Sequence, residues 1–443
     1  MTARWKGLGF VATAALLSGW VDVASAQQVD PGARPFTVRP APRGTPEEKQ
    51  PLVRGDTVAS RPRPEYDPLG VRAGSFLIFP QLSVFQGYND NVFATENNEK
   101  DDFFLNLIPA LSVQSDWNRH AVNFSSGASY TKYYEYTRQD YTDWFVNGNG
   151  RIDITRDAAL FLGGGFAEQH ELPGSPDFDT DAREPTRYNV SNGFARYVQQ
   201  FGKFRTSLDG AIDYFNYKNG TAVDGDSIDN DDDDRLVYGG GPRIGYELFP
   251  NYEVFVRAAG NRREYDDTDG TPTPDRSSSG YSAVTGLSLD LGGIVFGEIY
   301  IGYLQQFYDS NDFDTVEGVD GGLALTWNVT PLTTVTGRVA RQVNDTTQTN
   351  ASGIFTTQTA LDVDHELLRN LILNANFAYV NDDYDGIDRT DNFYVGGIGA
   401  RYLFTRNFNA SLGYRFIQRN SSGDDDVNDY TRNLVRIGVQ AQM

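Results

Sequence analysis

Side chains that change character at every step, in segments joined by connections of two sorts, leave this chain few folds to adopt. Across residues 204–214 one side carries Phe204, Leu208, Ile212 and Tyr214, and the other Arg205, Ser207, Asp209 and Asp213. Phe408, Ala410, Leu412, Tyr414 and Phe416 alternate with Asn409, Ser411, Gly413 and Arg415. Leu323, Leu325, Trp327 and Val329 alternate with Ala324, Thr326 and Asn328. A period of two, apolar on one side and polar on the other, is the pattern of strands whose faces meet different solvents. No stripe of helical period competes with it.

The connections carry the second half of the argument. Very short turns fall at Asp116-Asn118, Arg156-Asp157, Gly202-Lys203, Phe249-Asn251, Gly292-Gly293, Thr330-Pro331, Arg369-Asn370 and Thr405-Arg406. Between them lie longer polar segments, among them 171–186, 219–234, 266–278, 346–353 and 420–428. This sorting is the loop asymmetry of an outer-membrane barrel, and a soluble sandwich or propeller has no reason for it. Eight short turns separate nine hairpins, so Ser75 to Met443 reads as about 18 strands, give or take one hairpin, with both ends on the short-turn side. Unpaired backbone groups in hydrocarbon cost several kcal/mol each, so strands cross a bilayer only as a closed ring. The expected fold is therefore all-β: a transmembrane up-and-down antiparallel β-barrel. A mean hydropathy of −0.48 fits, because only alternate residues meet lipid. Tyr133, Tyr134, Tyr136, Tyr141, Trp144 and Phe145 bracket one long-loop rim, and Trp117, Phe201, Phe249, Tyr252, Phe404 and Phe408 sit beside short turns. Rings with a polar tip favour both interfaces.

Ahead of the strands, Arg4 and Lys6 precede an apolar stretch from Leu8 to Val21, and Ala24-Ser25-Ala26 offers small residues for cleavage. Residues 1–26 thus read as an export signal, too short in its apolar part to span a bilayer. Prolines then recur from Pro31 to Pro68 with arginines among them, and 27–74 reads as a disordered, extended periplasmic arm. Sixty acidic residues against 38 basic ones give a net charge of −22, which disfavours nucleic acid as a partner. The absence of cysteine excludes disulfide scaffolds, thiol catalysis and iron–sulfur ligation.

Residues Gly87-Tyr88-Asn89-Asp90-Asn91-Val92-Phe93-Ala94-Thr95 resemble the Y-x-D-N-V/I-F signature of an outer-membrane β-barrel porin family (type 2). Members of that family are often associated with exopolysaccharide gene clusters. Pro109 and Ser115-Asp116-Trp117 are similar to the family's early pattern. In loop asymmetry and length the resemblance runs from Ser75 to Met443, while specific motifs occur only near its start. It implies an outer-membrane channel in exopolysaccharide export, with a polysaccharide cargo and periplasmic or inner-membrane export partners. Lipid and lipopolysaccharide would surround the wall. One departure stands out: such barrels usually end in an aromatic residue, and this chain ends in Met443, although Val435, Ile437, Val439 and Ala441 keep the alternation.

By phase, Arg401, Arg415 and Arg436 point inward from the last three strands, as channel-lining groups. Asp209, Asp213, Glu253, Asp320, Asp362, Asp364 and Glu366 point inward elsewhere. Two readings are open: opposed charged walls that select solutes, or ion pairs that brace the barrel. Asp224, Asp226, Asp229 and Asp231 to Asp234 crowd one loop. Counted from Asp229, however, the EF-hand glycine and glutamate positions hold Asp234 and Gly240, so a solvated acidic loop is expected and no metal site. Gly163-Gly164-Gly165 and Gly239-Gly240-Gly241 lack the lysine of a phosphate loop and read as relief for curvature or room in the lumen. His120, His170 and His365 fit no nucleophile arrangement; a rim lipase using His170 as base is the weakest alternative, and neither catalysis nor a cofactor is expected. A general diffusion porin stays open, because no loop reads as long and apolar enough to plug the lumen. A non-conducting surface barrel with acidic, ion-binding loops stays open too.

Overall fold

Polar–apolar alternation takes the form of long antiparallel strands. The computed structural model describes residues 55–178, 182–266, 274–348 and 350–443. Its wall runs β1 (Phe76–Asn89), β2 (Asp102–Ser115), β3 (Ala121–Tyr133), β4 (Tyr141–Asp153), β5 (Ala158–His170) and β6 (Arg187–Phe201). It continues with β7 (Phe204–Tyr217), β8 (Arg235–Phe249), β9 (Tyr252–Tyr265), β10 (Ser278–Leu291), β11 (Val295–Tyr308) and β12 (Val316–Thr330). The last six are β13 (Thr333–Asn344), β14 (Gly353–Leu368), β15 (Leu371–Asp385), β16 (Thr390–Leu403), β17 (Phe408–Ser422) and β18 (Tyr430–Gln442). Each pairs with its chain neighbours, and β1 closes on β18 from Gln81↔Gln442 to Asn89↔Leu434. The result is the closed 18-strand antiparallel barrel that the turn pattern implied. A short strand, Val71–Ala73, adds to the short-turn end of β1. All eight expected short turns join an even-numbered strand to the next odd one, so they share one end of the barrel.

The outer face is the apolar one. Leu208, Leu412 and Ile437 are 59%, 54% and 60% exposed, as lipid-facing side chains are when the bilayer is not counted. The polar positions between them face the interior, where buried apolar side chains form small clusters. Both glycine runs sit at close approaches. A Cβ on Gly163 would lie 2.7 Å from the Phe194 ring, and one on Gly241 would collide with the Ala258 carbonyl oxygen.

Ring closure is fastened by the motif that carries the family resemblance. Asp90 accepts 2.6 Å hydrogen bonds from the Asn433 backbone N–H and side-chain amide. Asn91 donates to the carbonyls of Thr95 and Thr431, and Arg432 Nε donates to the Asn91 carbonyl. First and last strands, 340 residues apart, are therefore latched at the long-loop end. One seam is looser. The β12–β13 ladder runs only from Leu323↔Val339 to Thr330↔Thr333. Above it Val343 packs with Leu304 and Val316.

Candidate functional site: the lumen and its two ends

Acidic groups on the inner wall face arginines of their own. Asp209 meets Arg196 at 2.9 Å, and Arg243 bridges Glu253 at 3.0 Å and Glu298 at 2.9 Å. Arg338 lies 3.2 Å from Asp362, and Asn374 donates to Asp364 at 3.0 Å. Asp320 accepts from the Ser282 hydroxyl and faces Arg257, while Asp213 is buried opposite Val237 and Asn192 on its neighbouring strands. Arg401, Arg415 and Arg436 occupy adjacent strands. Arg401 stands opposite Ser411, Arg436 opposite Gly413, and Arg415 opposite Gly397. The Arg436 guanidinium lies 5.3 Å from the centre of the Phe85 ring.

Two further arginines, Arg419 and Arg432, extend this basic stripe toward the long loops. They share the phase of Arg415 and Arg436, four residues away, so the same alternation would have found them. The counter-cations Arg196, Arg243 and Arg338 were legible in the same way. Their partners were not, because phase states a direction and not a neighbour.

At the long-loop end the sequence reading needs correction: polar loops do enter the mouth. Residues 171–178, between β5 and β6, are held there by guanidinium donors. Arg432 Nη2 donates to the Pro173 carbonyl at 2.9 Å, and Arg419 Nη1 to the Gly174 carbonyl at 3.3 Å. Residues 345–348 and 350–352, between β13 and β14, enter from the opposite wall. Arg263 of β9 bonds Asp345 at 2.5 Å and the Val343 carbonyl at 2.7 Å. Arg276 donates to the carbonyls of Gln348 and Ala351. The two loops meet where Thr346 donates to Asp177 at 2.7 Å and Gln348 to the Pro176 carbonyl. Length and apolarity were the wrong criteria for a plug, because these segments are fixed by hydrogen bonds from the wall. Burial pushes the Asp177 carboxyl above its usual range, against the hydrogen bonds from Thr346 and Thr347 and the charges of Arg235 and Arg276.

The short-turn end is lined as well. Disorder was expected over 27–74, but its last part is folded against the inner rim; residues 1–54, with the signal reading and the rest of the arm, lie outside the described residues. Val58 is fully buried, and its N–H donates to Thr334 Oγ1 at 2.9 Å. Glu366 takes Arg63 at 2.6 Å and Arg61 at 3.4 Å, all three side chains being buried. Arg61 also reaches the Pro331 carbonyl. Arg406 Nε donates to the Pro64 carbonyl at 2.8 Å, and Tyr66 packs on Val58, Ile372 and Leu403. The segment thus follows the rim from β16 round to β11, where Gly55 approaches Phe296.

The remaining candidates lie beside the long-loop mouth: His170 lines a small cavity with Pro173 and Arg432, and Asp233 feels the charges of Asp177 and Arg276. His170 Nδ1 lies 2.8 Å from Asp143, and its ring stacks on Tyr141 at 3.8 Å. Asp231–Asp233 form a single helical turn, where burial pushes the Asp233 carboxyl up to about 7. Among the described residues no group of three or more His, Cys, Asp or Glu is arranged to hold a metal ion.

Comparison with known families matches residues 63–443 to the family described as "Putative beta-barrel porin 2". Comparison with curated protein sequences finds no match. Similar solved structures include the siderophore receptor PirA from Pseudomonas aeruginosa, at 9% identity, 83% of this chain, 80% of that chain and a TM-score of 0.41. OccK2 (OpdF) from Pseudomonas aeruginosa is similar at 10% identity, 83% of this chain, 97% of that chain and a TM-score of 0.43. The copper transporter OprC is similar at 9% identity, 86% of this chain, 81% of that chain and a TM-score of 0.47.

Proposed function

The chain belongs to this porin family of outer-membrane β-barrels, and on that premise we propose that it exports an anionic exopolysaccharide through its lumen. The observation that carries this reading is the stripe of five arginines on β16–β18: Arg401, Arg436, Arg415, Arg432 and Arg419. Across from it, Asp209, Glu253, Asp362 and Glu366 are engaged by arginines of their own. A stripe of arginines in a narrow low-dielectric passage concentrates anions and guides a polyanion along its length. Residues 1–26 serve as the export signal. Residues 27–54 are the contact for a periplasmic export partner, and lipopolysaccharide surrounds the outer rim. The folded segments at both ends favour a regulated passage over free diffusion of small solutes.

The test is a deletion strain assayed for secreted acidic polysaccharide and for uptake of small hydrophilic solutes. Loss of secretion with normal uptake is expected. Normal secretion with impaired uptake would transfer the protein to the diffusion porins. No change in either would leave a surface-structural role.

A further inference from the structure

We propose that Arg419 and Arg432 form an anion-binding site under residues 171–178, and that a carboxylated saccharide chain binding there releases this loop from the mouth. The proposal rests on the export reading and adds how the closed end opens.

Both guanidiniums are buried at 6% exposure, and among the described residues neither has a carboxylate within ion-pair distance. Asp391, on the neighbouring strand, is held by Arg389 at 2.6 Å. Every hydrogen bond they donate ends on a main-chain carbonyl. Arg419 donates to Asn428 and Gly174, and Arg432 to Asn91, Val92 and Pro173. The two cations flank one ring, lying 5.0 and 5.5 Å from the centre of Tyr430. The Tyr430 hydroxyl also donates to the Gly174 carbonyl, at 3.4 Å. The Pro173-Gly174 turn therefore occupies a cationic site with dipoles alone. A carboxylate in the same place makes charge-assisted bonds about twice as strong, and can take a guanidinium with both oxygens. A polyanion moving up the stripe reaches Arg436 and Arg415 first and these two last, so its arrival displaces the loop at the end of its path.

The chain has no cysteine, so Ser175→Cys places a single thiol on the loop. The experiment follows its labelling by a membrane-impermeant maleimide in the full-length protein, with folding checked by heat-resistant mobility. An oligouronate is expected to speed labelling about tenfold, the effect of ~1.4 kcal/mol, while a neutral oligosaccharide of equal length leaves it unchanged. In the background of Arg419→Gln with Arg432→Gln, labelling is fast from the start and indifferent to oligouronate; Arg432→Lys, which keeps the charge, retains the response. No acceleration by oligouronate, or equal acceleration by the neutral chain, overturns the proposal. Acceleration by inorganic phosphate alone overturns it too, and assigns the site to lipopolysaccharide headgroups instead. Labelling is read on isolated protein and secretion on the deletion strain, so failure of this proposal and of the export reading are told apart.

Discussion

Leu412 projects from β17 into lipid, between Ser411 and Gly413 on the inner face. An arginine near mid-membrane on that face costs roughly 2–4 kcal/mol, so Leu412→Arg is expected to lower the yield of heat-resistant barrel on gels. Asp90 works at the opposite extreme of polarity. Its two bonds to Asn433 join chain ends, and hydrogen bonds to a charged group are worth about 1.5–3 kcal/mol each. Asp90→Ala is expected to lower the temperature at which the folded band is lost, with strand content unchanged by circular dichroism. The direction of Leu412 was readable from its neighbours. The role of Asp90 was not, because the motif marks a family and is silent about the residue 343 positions away that it binds.

Two elements line the ends by different means. At the short-turn end, the segment around Arg61 and Arg63 depends on Glu366. Removing one member of a buried ion pair strands the other at a cost of about 3–5 kcal/mol. Glu366→Gln is therefore expected to release the segment locally, seen as faster hydrogen exchange at the Val58 amide, with the wall still protected. At the long-loop end, the docked loop holds Asp177 with a raised pKa. Docked loop thus binds more protons than released loop in the window from the ordinary aspartate range up to that raised value. Docking is strongest at low pH and weakens as pH climbs through the window. The corrected labelling rate of a Ser175→Cys thiol should rise accordingly, and Asp177→Asn should flatten the profile.

At the scale of the whole barrel, the proposed export role makes the arginine stripe the feature to test. Arg415→Glu is expected to move ion selectivity toward cations in planar bilayers while the barrel stays heat-resistant; unchanged selectivity would remove the stripe from the conducting path. The strand number, the short-turn end and the two faces of the wall were all present in the primary structure. A strand's faces are set by residues one and two positions away, and turn length is local in the same sense. Closure of the ring then decided everything else. It brought Arg263 to Asp345 across 82 residues, Arg432 to Pro173 across 259 and Arg63 to Glu366 across 303. Those pairings bring polar loops into the mouth and fold the last part of a proline-rich arm onto the rim. They depend on where a curved sheet places opposite walls, a distance in space for which a linear pattern carries no term.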